Sequence, residues 1–219
     1  MSSDKIKATE VVWHNGGVQA KDRSQLLGQR PITIWLTGLS ASGKSTLAFA
    51  LERNFVDAGH ACYVLDGDNV RHRLNKDLGF SPQDRTENIR RIAEVARLMN
   101  DAGLIVITAF ISPYRDDRKS ARNIIGAANF MEIYVSTPIE TCEARDPKGM
   151  YKRARAGELT GFTGVNAPYE SPTAADMTID TSSAPPSECA AKLLSGLISR
   201  IAVPECAKPE NWNIPNERS

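Results

Sequence analysis

The sequence contains no C-x-x-C pair: its 4 cysteines, Cys62, Cys142, Cys189 and Cys206, stand far apart, so the spacing of a zinc site or a dithiol redox centre is missing. Reduced, buried thiols are the reading that remains. Neither sign of charge is in excess, with 27 Lys+Arg against 26 Asp+Glu, so no broad field would gather nucleic acid or anionic lipid. No apolar run approaches the roughly 20 residues of a membrane span. The polar start, Met1-Ser2-Ser3-Asp4-Lys5, lacks the apolar centre of a signal peptide. A cytoplasmic protein with no nucleic-acid or membrane partner is therefore expected. At 219 residues the chain is long enough for one α/β core. The expected organisation is a lead-in over 1–30, free or docked, a domain over 31–203 and a polar, proline-rich tail over 204–219. Trp13-His14 in the lead-in reads as local packing, and Ala20 to Leu27 as a short helix.

What is present centres on one stretch. Ile32 to Leu36 is β-branched and aromatic, as a buried parallel strand should be. It runs directly into Gly38-Leu39-Ser40-Ala41-Ser42-Gly43-Lys44-Ser45-Thr46, which matches G-x-x-x-x-G-K-[ST]. The glycines let the backbone curl so that successive N–H groups face a phosphate, and the helix that follows adds the positive end of its dipole. Lys44, read as a solvent-facing lysine, reaches the β/γ-phosphates, and Ser45 offers its hydroxyl to Mg²⁺.

Further along, Ala61 to Leu65 reads as a second strand that stops at Asp66-Gly67-Asp68-Asn69. Two carboxylates at the carboxyl end of a strand point to a ligand site, with a plain acidic turn as the alternative. Ser81-Pro82-Gln83-Asp84 opens a helix to about Asn100 whose apolar stripe is Ile89, Ile92, Val95, Ala96 and Met99. Arg85 and Asn88 fall on that stripe and need partners, either an anionic ligand or an intramolecular ion pair. Leu104 to Ile111 reads as a strand buried on both faces that ends in Ser112-Pro113-Tyr114-Arg115. A phosphate-loop enzyme commonly carries a Mg²⁺-binding Asp at such an end, and none stands here, which shifts metal and base work to Asp66 and Asp68. A helix from Arg115 to Ile125, a strand from Phe130 to Val135, a helix ending near Arg145, a strand over 176–180 and a helix over 187–201 complete the reading. Between them, 147–171 mixes basic residues, glycines and aromatics, too polar for core, and reads as a mobile lid over the phosphates or else as a disordered loop.

Taken together, these stretches closely resemble the adenylylsulfate kinase family. The resemblance covers about 12–199 and rests on linked motifs: Gly38 to Thr46, Asp66-Gly67-Asp68-Asn69-Val70-Arg71, Leu78-Gly79-Phe80-Ser81 and Arg85-Thr86-Glu87-Asn88. Phe110-Ile111-Ser112-Pro113-Tyr114-Arg115, Arg145-Asp146-Pro147-Lys148-Gly149 and Gly161-Phe162-Thr163-Gly164 add to them. The resemblance implies an α/β fold of the P-loop NTPase type, a parallel sheet sandwiched by helices. It implies ATP with Mg²⁺ and adenosine 5′-phosphosulfate as substrates, transfer to the 3′-hydroxyl, and a homodimer. Arg71, Phe80, Arg85, Asn88 and Ile111 would hold the phosphosulfate nucleotide, with Phe162 stacked on its adenine. Lys148 would lie near the sulfate and the transferring phosphate, and Arg145 against the adenine of ATP. Ser112 is marked as a proposed phosphoserine.

Two positions depart from the family. Ala41 stands where Gly is common, a methyl expected to be tolerated, and Asn166 stands where Asp is common, which removes a charge from the lid. No sulfurylase domain is seen, so a monofunctional kinase is expected. In the expected mechanism Lys44 and the loop amides hold the ATP phosphates, Ser45 and Asp68 hold the metal, and Asp66 assists through the metal or its waters. Asp68 also takes the proton of the attacking hydroxyl. Ser112 would cap the next helix or bond a phosphate. Another small-molecule kinase of this fold, and a regulatory subunit that binds ATP without turnover, stay open as rivals.

Overall fold

The computed structural model describes residues 10–12 and 14–203, so Trp13, Cys206 and the tail lie outside the described residues. In chain order the elements are α1 (Ala20–Leu27), β1 (Thr33–Thr37), α2 (Lys44–Asp57), β2 (Cys62–Asp66), α3 (Gly67–Arg71), α4 (Pro82–Asp101), β3 (Ile105–Ala109), α5 (Arg115–Ile125), β4 (Phe130–Val135), α6 (Ile139–Arg145), α7 (Met150–Arg155), β5 (Met177–Ile179) and α8 (Pro186–Ile201). Five parallel strands form one sheet in the order β2-β3-β1-β4-β5. The chain leaves β1 toward one edge and later returns to its other side, so the carboxyl end of β1 is the switch point at which such sheets bind ligands.

Alternation along β1 explains the two-sided core. Ile34 and Leu36 face Leu47, Leu51, Leu193 and Leu197 on the side covered by α2 and α8. Trp35 faces the other way, onto Ile89, Ile92, Val106, Ala121 and Phe130 under α4 and α5. With both faces covered, the strand is buried at every position, which is why it reads as a continuous apolar run.

Three expectations change. The run 104–111 forms a strand only over Ile105–Ala109, because the chain turns at Phe110 to Pro113, where Ser112 takes φ +39°. The acidic stretch after β2 is not a plain turn: the Asp66 carboxylate accepts from the N–H groups of Asp68 (3.0 Å) and Asn69 (3.3 Å) and so caps α3, a helix too short to be read from periodicity. The stretch 147–171 is not too polar for core. It contains α7 and buries Tyr151, Ala154 and Phe162 with Cys142 in a third apolar cluster, against which Leu39 and Ala41 of the phosphate loop pack.

The lead-in is docked where it meets the domain. Arg23 pairs with Asp101 at 3.4 Å, and the buried Gln29 amide bonds the carbonyls of Ala61 (2.8 Å) and Gly103 (2.9 Å). Among the described residues no helix is long and apolar enough to cross a membrane.

Candidate active site

The loop between β1 and α2 curls as its glycines require. A Cβ on Gly38 would stand 2.6 Å from the Val135 carbonyl oxygen, and Gly43, at φ +91°, caps α2 against Thr181. Ala41, whose methyl was expected to be tolerated, also has positive φ, +57°, so an L-residue here sits in the left-handed region. Hydroxyls from the ends of other strands hold the loop from outside. Thr137 (3.1 Å) and Thr181 (2.8 Å) both donate to the Ser42 carbonyl, and the Tyr151 phenol donates to that of Ser40 at 3.0 Å. None of the three stands out in the sequence, because each meets the loop only after the sheet forms. Their one visible sign is a hydroxyl at the carboxyl end of a strand or within 147–171.

Lys44 is not solvent-facing. It is 7% exposed, and its ammonium donates to the carbonyls of Gly38 (3.0 Å) and Leu39 (2.5 Å) and to Ser42 Oγ (3.4 Å). Burial lowers its pKa to about 8, against the opposing pull of Cys142, Asp66 and Asp68. The Ser45 hydroxyl donates to Asp66 Oδ2 at 2.6 Å, which brings it to Asp66 rather than to Asp68. In register Asp66 lies beside Ala109, so β2 supplies the carboxylate that β3 lacks. Asp68, two residues on, is exposed and pairs with Lys148 from the start of the 147–171 segment.

A second wall is built by α3, α4 and the turn between them. The Arg71 guanidinium lies 4.4 Å from the centre of the Phe80 ring and bonds the carbonyls of Leu78 and Gly79, which leaves that ring 67% exposed. Asn88 is buried on the apolar stripe, and its Oδ1 accepts from Asn75 Nδ2 at 3.0 Å. Arg85 makes no ion pair among the described residues. It bonds the Phe80 carbonyl, the Gly161 carbonyl and the Thr163 hydroxyl.

Three residues sit differently from the sequence expectation. The Ser112 hydroxyl does not cap α5, whose N-cap is Tyr114. It is buried and accepts from the Trp35 indole at 3.2 Å. Phe162 is 5% exposed and packs edge-on against Tyr151, with ring centres 4.9 Å apart. Asn166 accepts from the Phe162 N–H and donates to the Leu159 carbonyl, a bond that an Asp could not make. Ile111 lies beside Ser112, where its carbonyl accepts from Thr37 Oγ1 at 2.8 Å, and Arg145 is anchored beside the loop on Thr181 and the Ala41 carbonyl. A cleft of about 650 Å³ opens between Leu39 and the returning 164–171 stretch, walled by Tyr134 and Tyr169; none of Arg71, Phe80, Arg85 and Asn88 lines it.

The comparisons with known proteins decide the family. A family model described as adenylylsulphate kinase matches residues 30–180. The chain belongs to the adenylylsulfate kinase family. An adenylyl-sulfate kinase of Shewanella pealeana is 60% identical over 174 residues, 80% of this chain and 85% of the relative. The APS kinase of Mycobacterium tuberculosis, solved in complex with AMPPNP and APS, is 46% identical with a TM-score of 0.75, over 77% of this chain and 98% of that one. A hexameric APS kinase from Thiobacillus denitrificans is 33% identical with a TM-score of 0.60, over 78% of this chain and 29% of that one. A sugar kinase from Janibacter, at 19% identity and a TM-score of 0.55, shares the fold alone. The phosphate loop follows β1, Asp66 ends β2, and Arg85 and Asn88 lie in the first two turns of α4, the helix that leads into β3.

Proposed function

We propose that the chain transfers the γ-phosphoryl group of ATP to the 3′-hydroxyl of adenosine 5′-phosphosulfate. One observation carries the reading: the phosphate loop, the Asp66 and Asp68 carboxylates with Lys148, and the wall of Arg71, Phe80, Arg85 and Asn88 converge on one end of the sheet. Phosphoryl transfer asks for positioning and charge neutralisation more than for covalent chemistry, and this set supplies both. The loop N–H groups and Lys44 hold the phosphates, which replace the loop carbonyls as acceptors for the Lys44 ammonium. Asp68 orients the 3′-hydroxyl and accepts its proton, and Lys148 beside it faces the charge that develops on transfer. Arg145 lies on the ATP side of the loop, while Phe162, Ile111 and the Arg71 to Asn88 wall take the acceptor nucleotide. The stretch 147–171 acts as a lid.

Mg²⁺ fits the donor set, because the Ser45 hydroxyl and the Asp66 carboxylate are hard oxygen donors 2.6 Å apart, few enough to leave positions for phosphate oxygens and water. When bound it neutralises charge on the β- and γ-oxygens. Ser45 with Asp66 is the pair that would hold the metal in this geometry, in place of the expected Ser45 with Asp68. A homodimer and a place in sulfate assimilation, which rest on the family resemblance, and the cytoplasmic setting expected from the sequence complete the proposal.

The test is a panel of acceptors supplied with ATP and Mg²⁺: adenylylsulfate, shikimate, gluconate and nucleoside monophosphates. ADP release driven by adenylylsulfate above all others is expected. A higher kcat/KM on another acceptor, or calorimetric ATP binding with no transfer to any of them, overturns the reading.

A further inference from the structure

The Arg85 guanidinium is a bridge between two segments. Its Nε donates to the Phe80 carbonyl (3.0 Å), Nη1 to Thr163 Oγ1 (2.7 Å) and Nη2 to the Gly161 carbonyl (2.6 Å). One acceptor is the backbone of the exposed aromatic residue on the α3–α4 wall. The other two flank the lid aromatic, Phe162. Thr163 is 2% exposed, so the hydroxyl that meets Arg85 is fixed by packing rather than free to turn away into solvent. Behind it the turn is closed by three N–H groups, those of Val165, Asn166 and Ala167, all directed at the Phe162 carbonyl. A planar guanidinium presents its donors in a rigid fork, whereas a lysine ammonium is a point charge that cannot span both segments in this way.

We propose that Thr163 is a positioning residue for the acceptor nucleotide: acting through the Arg85 fork, it fixes the separation of Phe80 and Phe162 and holds the lid to the α4 wall. The inference rests on the reading that this wall takes adenylylsulfate. It assigns Arg85 a task beyond supplying positive charge to an anion. Arg85 ties the backbone of Phe80 on the α4 wall to the residues on either side of Phe162.

Three variants separate the fork from the charge. Thr163→Val removes the hydroxyl at nearly constant shape, Thr163→Ser keeps it, and Arg85→Lys keeps the charge while losing the fork. Thr163→Val and Arg85→Lys should each raise the KM for adenylylsulfate about tenfold, the size of one charge-assisted hydrogen bond, with the KM for ATP unmoved. Thr163→Ser should return the KM to near the wild-type value. The double variant Thr163→Val/Arg85→Lys should be no worse than Arg85→Lys alone, because both remove the same link. Backbone amides over 158–166 should exchange faster in Thr163→Val and Arg85→Lys than in the wild type, and not in Thr163→Ser. A wild-type KM in Thr163→Val, full rescue by lysine at Arg85, or an equal rise in the KM for ATP overturns the proposal. If the wild type does not use adenylylsulfate, the functional reading fails by itself, and the exchange rates still decide whether Thr163 and Arg85 latch the lid.

Discussion

At the scale of single residues, motif spacing and side-chain partners carry different information. Lys44, Ser45, Asp66 and Asp68 are legible because their chemistry is bound to short, fixed spacings. Ser112 is not, since its hydroxyl is turned inward by the Trp35 indole, 77 positions away in sequence. Direct transfer with Asp68 as the base predicts that Asp68→Ala loses about 10² to 10⁴ in kcat. Ser112→Ala should keep measurable turnover at a cost in stability of about 1–3 kcal/mol, because the buried indole N–H loses its acceptor. Single-turnover rates paired with urea melts of both variants separate these effects, and a greater loss of rate in Ser112→Ala contradicts the assignment. Ala41 makes a second residue-level case. Its φ of +57° places a methyl where glycine is favoured, so Ala41→Gly should stabilise the protein by about 0.5–1 kcal/mol, read as a rise of a few degrees in Tm. No change, or a fall, shows that the loop relaxes around the methyl at no cost.

At the scale of elements, the long periodic segments were readable and the two shortest α-helices were not. The stripe of α4 announced itself through Ile89, Ile92 and Ala96, and Ser81 caps the helix by accepting from the Asp84 N–H, as its sequence suggests. By contrast α3 has 5 residues and α7 has 6, too few to show a period, and Tyr151 of α7 is buried in a cluster with Cys142 and Phe162, against which Leu39 and Ala41 of the phosphate loop pack. The packing of α4 on α5 also carries a pH dependence. Asp117 on α5 accepts from the Thr86 hydroxyl of α4 at 3.2 Å, and burial holds its carboxyl above the ordinary carboxylate value of 3.8. The folded state therefore binds this proton more tightly than the unfolded chain, and the Asp117 contribution to stability is lost as pH rises through the window above 3.8. Asp117→Asn keeps an acceptor for Thr86 and removes the charge. It should raise the urea midpoint at about pH 7 by more than at about pH 4. An equal or opposite change shows that the carboxylate is adequately solvated or paired at this interface.

At the scale of the whole molecule, the sheet order is what turns scattered motifs into a site. Nothing local in Asp66 or Asn88 says that they will share one end of a sheet with Lys44. That follows from β3 entering between β2 and β1, so that the loop after β1 opens toward the residues after β2 and the first turn of α4. The strands could be read individually because both faces are covered, by α2 and α8 on one side and α4 and α5 on the other, whereas their order comes from the structure. The contact between Lys148 and Asp68 was beyond reach of the sequence for the same reason: it joins positions 80 residues apart. The central claim is direct transfer from ATP to the 3′-hydroxyl of adenylylsulfate at the mouth of this loop. It is tested most directly by supplying ATP with a chiral γ-phosphoryl group together with adenylylsulfate, and reading the position and configuration of the phosphoryl group in the product. A 3′-phosphorylated nucleotide with inverted configuration is the predicted result; label absent from the 3′ position, or net retention there through a phosphoserine at Ser112, would contradict the account.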